Sequence, residues 1–278
     1  MAIAVARCSG LAMTPRVDVD EVLQRGVLTV LGRIRVASNA TYLCESICNG
    51  STVRCVYKPV AGEQRLWDFP DGTLAGRERA AYLISLQLGW NIVPHTVIRD
   101  GPAGQGMLQL WIEQSGDPEA TPALVDLFPA GTLMSGYLPV LRAYDEAGGE
   151  ITLAHADDIR LQRMAVFDVL TNNADRKGGH ILRSVAGRVY GVDHGICLHA
   201  ENKLRTVLWG WAGKPIDDQT LDAVDGLAAA LGGPFADVLA TLITSAEVAA
   251  LRRRVHELLD HPVMPNPSRH RPIPWPAF

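Results

Sequence analysis

Asn49-Gly50 lies between two runs rich in β-forming residues, Tyr42 to Cys48 and Thr52 to Val60. Both central residues of a type I′ turn need positive φ, which Asn and Gly tolerate, so this pair dictates a tight antiparallel hairpin. With the β-like run Val27 to Val36 ahead of it, the chain opens as a three-stranded antiparallel unit, preceded by a short amphipathic stretch around Asp18 to Arg25. A Gly/Pro/Asp-rich loop, Ala61 to Gly76, leads to a helical pattern over Arg77 to Leu88, where Ala80, Ala81, Leu83, Ile84 and Leu88 share one side. Thr96 to Arg99 and Met107 to Ile112 read as two further strands, joined by the Gly-rich turn Gly101 to Gly106. The order is β-β-β-α-β-β, a small sheet carrying one helix.

From Glu113 the composition turns to Pro, Gly and Ala and then to helices, which puts a boundary near Ile112 to Gly116. His155 to Leu170 reads as a broadly apolar helix opened by Asp157-Asp158. Two short β runs follow, His180 to Arg183 and Val189 to Val192. Leu221 to Leu231, Pro234 to Leu242 and Ser245 to Leu259 read as helices, the last opened by a Thr244/Glu247 capping box. Residues 261–278 hold six of the 17 prolines, cannot be helical, and are expected to run extended over the surface, the alternative being a disordered docking tail. The expected organisation is an extension (1–26), a β lobe (27–113), a helical lobe (114–260) and a Pro-rich tail (261–278).

A net charge of -4 with no long basic run excludes the mode of nucleic-acid binding that works by phosphate neutralisation. No run reaches the roughly 18 apolar residues that cross a bilayer, and the start shows no secretory order of charged then apolar residues. The five cysteines lack paired zinc-ligand spacing, so a reducing, cytoplasmic setting is expected. Of 26 basic residues only four are lysines, Lys58, Lys177, Lys203 and Lys214.

The chemistry concentrates in Thr171-Asn172-Asn173-Ala174-Asp175-Arg176-Lys177-Gly178-Gly179-His180, closely followed by Tyr190-Gly191-Val192-Asp193-His194-Gly195. A polar loop between an apolar helix and a β run, with Asp-x-Gly ending the next β run, is the arrangement phosphoryl transfer needs. One carboxylate orients the attacking hydroxyl and a second holds a divalent metal on the phosphates. Val56-Tyr57-Lys58 ends an earlier strand in a lysine able to meet α/β-phosphates.

On these residues the chain resembles the kinase superfamily in its atypical branch of phosphatidylinositol 3-/4-kinases and HipA-type toxin kinases, and more closely small bacterial phosphatidylinositol 3-/4-kinase-like proteins. Asp175-Arg176 matches the first two positions of the lipid-kinase loop Asp-Arg-His-x-x-Asn, and Asp193-His194-Gly195 stands for Asp-Phe-Gly. The resemblance spans roughly Val27 to Leu259 and implies an α+β, two-lobed protein-kinase-like fold with ATP and Mg²⁺ or Mn²⁺ in the cleft. It assigns Asp175 as base, Asp193 to the metal, Lys58 to the phosphates and Glu78 as partner of Lys58, with Glu63 a competitor. Lys177 replaces the lipid-kinase His and restores the Asp-x-Lys spacing of serine/threonine kinases, where the lysine meets the γ-phosphate. His180 stands where the family has a metal-binding Asn. No Gly-x-Gly-x-x-Gly loop is present, so Ser38, Asn39 and Thr41 in the turn between the first two strands are expected to cover the phosphates. Trp111, Ile112 and Glu113, running on to Gln114, are expected to form the hinge that meets adenine.

The expected reaction is transfer of the ATP γ-phosphoryl group to a hydroxyl of a protein serine or threonine, an inositol headgroup or a small metabolite. A nucleotide-binding pseudokinase is the alternative. A metal-dependent hydrolase built on His180, Asp193, His194 and His199 is a third reading. Trp209 and Trp211 follow Asp193 and are expected to pack in the core.

Overall fold

Asn49 and Gly50 adopt φ of 50° and 78°, and Cys48 faces Ser51 across the turn, so the hairpin forms as its residues require. The computed structural model describes residues 17–34, 39–64, 66–71, 73–114, 122–268 and 270–278. Strands β1 (Val27–Arg33), β2 (Tyr42–Cys48), β3 (Ser51–Pro59), β4 (Thr96–Gly101) and β5 (Gly104–Leu110) make an antiparallel sheet in the order β1-β2-β3-β5-β4. Side chains alternate along a strand, so Cys55 and Tyr57 of β3 point to one face and Val56 and Lys58 to the other. The first face is closed by helix α1 (Val19–Arg25), whose Leu23 is buried with Cys44, Cys55, Tyr57, Val97 and Leu108.

The other face takes α2 (Leu74–Gln87), which is buried on nearly every side because it lies between the sheet and the second lobe. Its N-terminal N–H groups are satisfied by Thr73 Oγ1, which accepts from Gly76, and by the Glu63 carboxylate, which accepts from Leu74 and Ala75 at 2.9 and 2.8 Å. A Cβ at Gly76 would collide with the carbonyl of Leu242, so glycine is what lets the helix approach so closely. Arg77 locks the contact. It is buried, pairs with Glu247 Oε1 at 2.6 Å and donates to the carbonyls of Cys197 and Asp71.

The two-lobed α+β architecture is the one expected, with one correction. The stretch expected to be linker and then helix holds a three-stranded antiparallel sheet of β6 (Val125–Pro129), β7 (Tyr137–Tyr144) and β8 (Glu150–Ala156), ordered β6-β8-β7. Its strands hide in the sequence because proline is tolerated on edge strands and at bulges. Pro129 ends the edge strand β6, and Pro139 sits at the register shift of the other edge strand, β7. His155 therefore belongs to β8, and helix α3 (Ile159–Thr171) begins after Asp158, which caps it by accepting from Arg160 N at 2.8 Å.

Beyond α3 a short hairpin, β9 (Ile181–Arg183) and β10 (Val189–Gly191), precedes helices α4 (Asp218–Leu231), α5 (Pro234–Ala240) and α6 (Ser245–Asp260). The capping box between Thr244 and Glu247 forms as the sequence indicates. Phe167 and Leu170 of α3, Leu227 of α4 and Leu251 of α6 meet in the main core. Trp209 and Trp211 are core residues. Trp209 Nε1 donates to Pro272 O at 2.9 Å, and Trp211 donates to Asp157 Oδ1 at 3.0 Å while its ring packs at a tilt against His155. Residues 261–268 and 270–278 run extended across this lobe, where the carbonyls of Pro262, Met264 and Pro272 accept from the N–H groups of Ile216, Gly213 and Thr206. Among the described residues no single helix is long and apolar enough to cross a membrane.

Candidate active site between the lobes

Lys58, placed by strand alternation on the inner face of β3, reaches across to α2 and puts Nζ 2.9 Å from Glu78 Oε1. The same ammonium contacts Asp193 Oδ1. The other oxygen of Glu78 accepts from the backbone N–H of His194 at 3.1 Å, so one buried carboxylate ties α2 to both Lys58 and the loop after β10. Glu63, the competing carboxylate, caps α2 instead. Burial disfavours the Lys58 charge, but Glu78 and Asp193 outweigh it and hold the pKa above the ordinary lysine value. At Asp193 burial acts to raise the pKa, yet Lys58 and His180 hold the carboxyl well below the usual range. Its φ of 58° is a left-handed conformation that Asp tolerates better than most residues. The carboxylate is half open to the cleft, 49% exposed.

Helix α3 ends at Asn172, itself left-handed with φ 50°, and from there the loop to His180 is bonded at almost every step. Asn172 Nδ2 donates to the carbonyls of His199 and Glu201, and Asn173 Oδ1 accepts from Asp175 N at 3.0 Å. Lys177 Nζ lies 3.4 Å from Asp175 Oδ2. His180 Nδ1 lies 2.9 Å from the carbonyl of Asp175, and since a carbonyl can only accept, Nδ1 carries the proton. That fixes the tautomer and leaves a lone pair on Nε2, which lies 3.6 Å from Asp193 Oδ2. Burial, reinforced by Arg176 and Lys177, holds the His180 pKa below the ordinary histidine value despite Asp193 and Asp175.

Beneath this loop is a pair that sequence reasoning passed over. Arg176 and Asp168 are both fully buried; Nη2 and Nε of the arginine meet the carboxylate at 3.0 to 3.2 Å. The remaining lone pairs of Asp168 accept from Thr206 Oγ1 and Asn173 Nδ2. Arg176 also donates to Val192 O at 3.1 Å and to His194 Nε2 at 2.6 Å. A single guanidinium therefore fastens the Asp175 loop to the Asp193 loop. One sign was available in the sequence: Asp168 is a lone carboxylate in the apolar run Met164 to Leu170, and a charge so placed is seldom buried unless partnered.

Two cavities meet at Lys58, Thr41 and Asp193. The larger, about 320 Å³, is lined by Asn39, Thr41, Lys58, Glu78, Asp175, Lys177, His180 and Asp193 among others. The smaller, about 160 Å³, is apolar and is walled by Ile34, Val56, Leu110, Ile112, Leu182 and Val192, with Trp111 and Gln114 at its edge. Glu113 is not part of either wall; its carboxylate turns outward to Arg54 at 3.2 Å. Ser38 lies outside the described residues. The histidines of the hydrolase reading do not converge, for His194 is sealed against Arg176 and Phe167 and His199 stacks edge-on against Phe69. Among the described residues no group of three or more His, Cys, Asp or Glu side chains could hold a metal ion by themselves.

No family model matches the chain. It is similar to two solved kinase structures at low identity. The Golgi casein kinase shares 12% identity at a TM-score of 0.48, covering 86% of this chain and 72% of that one. The Helicobacter pylori proinflammatory kinase CtkA shares 11% at 0.41, covering 87% and 94%. Likenesses this loose carry no inference about chemistry. At the level of sequence the relation is close: Protein Rv2133c of Mycobacterium tuberculosis is 71% identical over 276 residues, which cover 98% of this chain and 99% of the relative. Identity of that degree along the whole length of both chains leaves no room for a different fold or core, and the protein described here belongs to the same family as Rv2133c.

Proposed function

We propose that the protein is an ATP-dependent phosphotransferase that moves the γ-phosphoryl group to a hydroxyl acceptor. The observation that carries this reading is the convergence on one cavity of an ammonium held by a buried carboxylate (Lys58 with Glu78), a second carboxylate within its reach (Asp193), and a loop carboxylate (Asp175) beside a lysine. In this reading the apolar cavity takes adenine against the backbone after β5, and Lys58 meets the α/β-phosphates. Asn39 and Thr41 cover the phosphates in place of a glycine loop. Lys177 faces the γ-phosphate, and Asp175 accepts the proton of the attacking hydroxyl.

Asp193 and His180 would hold a divalent cation, which would neutralise charge on the phosphates. The donor set fits: an ionised carboxylate lies beside an imidazole whose free lone pair is on Nε2, its other nitrogen donating to a backbone carbonyl as metal-binding histidines do. The resemblance to phosphatidylinositol 3-/4-kinases puts inositol headgroups among the acceptors, while Lys177 favours protein hydroxyls. A product screen with radiolabelled ATP over peptides, headgroups and small metabolites names the acceptor. Cys44 and Cys55 face each other across β2 and β3 as free thiols.

Binding is the direct test. ATP with Mg²⁺ or Mn²⁺ at about 100 times Kd should add about 2.7 kcal/mol of stability, a rise of several degrees in Tm. Lys58→Ala should remove most of that shift. A parent protein whose Tm no nucleotide moves would end the phosphotransferase reading, and one that binds ATP without consuming it would be a nucleotide-binding scaffold. The metal assignment has its own measurement. His180→Asn replaces imidazole with a harder amide oxygen, so nucleotide affinity should move its preference from Mn²⁺ toward Mg²⁺. An unchanged preference would take His180 out of the metal site.

A further inference from the structure

The half of the loop that carries Lys177 is held from outside the loop. Asp175 and Arg176 are bonded into the lobe through Asn173, Arg205 and Val207, and His180 through Val192. Gly178–His180 form a short 3₁₀ turn capped by Lys177, whose internal bonds run from His180 N to Lys177 O and from Ile181 N to Gly178 O. Its bond to a distant segment is Gly178 N to the carbonyl of Ala277, at 2.8 Å.

The next residue, Phe278, lays its ring on Gly178. A Cβ at Gly178 would run into three ring carbons of Phe278, whereas a Cβ at Gly179 would meet nothing within 4 Å. Gly178 is therefore a glycine of close approach. The extended segment is itself anchored before it arrives. Pro272 O accepts from both Thr206 N and Trp209 Nε1, and Ile273 and Ala277 pack against the main core. A bond and a ring contact on one face of a turn, delivered by a segment fixed to the core, make a brace.

We propose that Phe278 is a positioning residue that acts through Gly178 to hold the turn between Asp175 and His180, and with it Lys177, in the geometry the transfer step requires. The proposal rests on the phosphotransferase reading above. Nucleotide is bound through Lys58, Asp193 and the apolar cavity, none of which Phe278 lines. The brace should thus act on turnover and leave affinity alone.

Phe278→Ala should lower ATP turnover roughly tenfold, since misplacement of a reacting group by about 1 Å costs up to 10²-fold. Nucleotide affinity should stay within about twofold. Phe278→Leu, which keeps an apolar cover, should retain most of the activity. Gly178→Ala should cost as much as Phe278→Ala, and combining the two should cost no more than either alone, because the new methyl enters the space the ring has left. Additive losses, or a Phe278→Ala protein with parental turnover, would overturn the proposal.

A second readout does not depend on catalysis. A lysine-specific endoprotease finds only four lysines, so each cut is assigned by fragment mass. Lys177-Gly178 lies inside the braced turn and Lys203-Leu204 is an internal control. Loss of the ring should speed cleavage at Lys177 about tenfold and leave Lys203 unchanged, because a local opening is reported where it occurs. Equal acceleration at both bonds would mean general destabilisation and would reject a positioning role. If the parent consumes no ATP, the phosphotransferase reading fails while the cleavage ratio still decides whether the brace exists.

Discussion

Asp175→Asn is expected to bind ATP and metal like the parent, within about twofold, and to transfer phosphate about 10²- to 10⁴-fold more slowly, the scale on which a general base is lost. Asparagine has the shape of aspartate and can still orient a hydroxyl, but it cannot take the proton. The backbone of residue 175 is set by Asn173 and the lysine beside it by the turn that follows, so the substitution removes a charge from a loop that holds its shape without it. In the proposed reading the phosphates would be met by Lys58 and the cation by Asp193, which pair with each other in the same cavity and leave Asp175 free of both tasks. Asp193→Asn is the informative contrast. It should weaken metal-dependent nucleotide binding itself, visible in the Tm shift before turnover is measured. An Asp175→Asn protein that turns over like the parent would remove this residue from the role of base.

The largest effect on stability is expected at Asp168. Asp168→Ala leaves the Arg176 guanidinium buried without its carboxylate and strands the Thr206 hydroxyl and the Asn173 amide. Breaking a buried pair from one side costs about 3–5 kcal/mol, because the remaining charge cannot return to water. At about 2–4 °C per kcal/mol for a chain of 150–250 residues, Tm should fall by roughly 6–20 °C. Asp168→Asn, which keeps an acceptor oxygen and the volume, should lose less. A drop of under about 2 °C for the alanine variant would show that the carbonyl of Val192 and the His194 ring carry Arg176 without Asp168, and that the two loops do not depend on the pair.

What the sequence by itself determined is what local chemistry controls. Asn49-Gly50 set the hairpin through backbone φ, and the Thr244/Glu247 box set a helix start through bonds spanning three residues, whereas the start at Asp158 in place of His155 emerged only with the strand β8 before it. The strand ending Val56-Tyr57-Lys58 picked out the lysine, and the spacing of Asp175 and Asp193 located both loops. The three-stranded sheet of the second lobe escaped this reading because its edge strands carry prolines and, being largely exposed, show no clean alternation of buried and exposed positions.

Only the tertiary structure decided which charges are buried and what they face. Between the two carboxylates the resemblance offered, the fold gives Lys58 to Glu78 and sets Glu63 on the α2 N-terminus; Arg77 finds Glu247 from the far end of the chain, and Phe278 comes to rest on Gly178. No local rule fixes such pairs. Nothing in a residue's immediate neighbours says which distant surface will cover it, and a buried charge is tolerated only where packing delivers its partner. For that reason the loops could be found from spacing, while the guanidinium that fastens them together and the ring that braces one of them became visible only once the chain was folded.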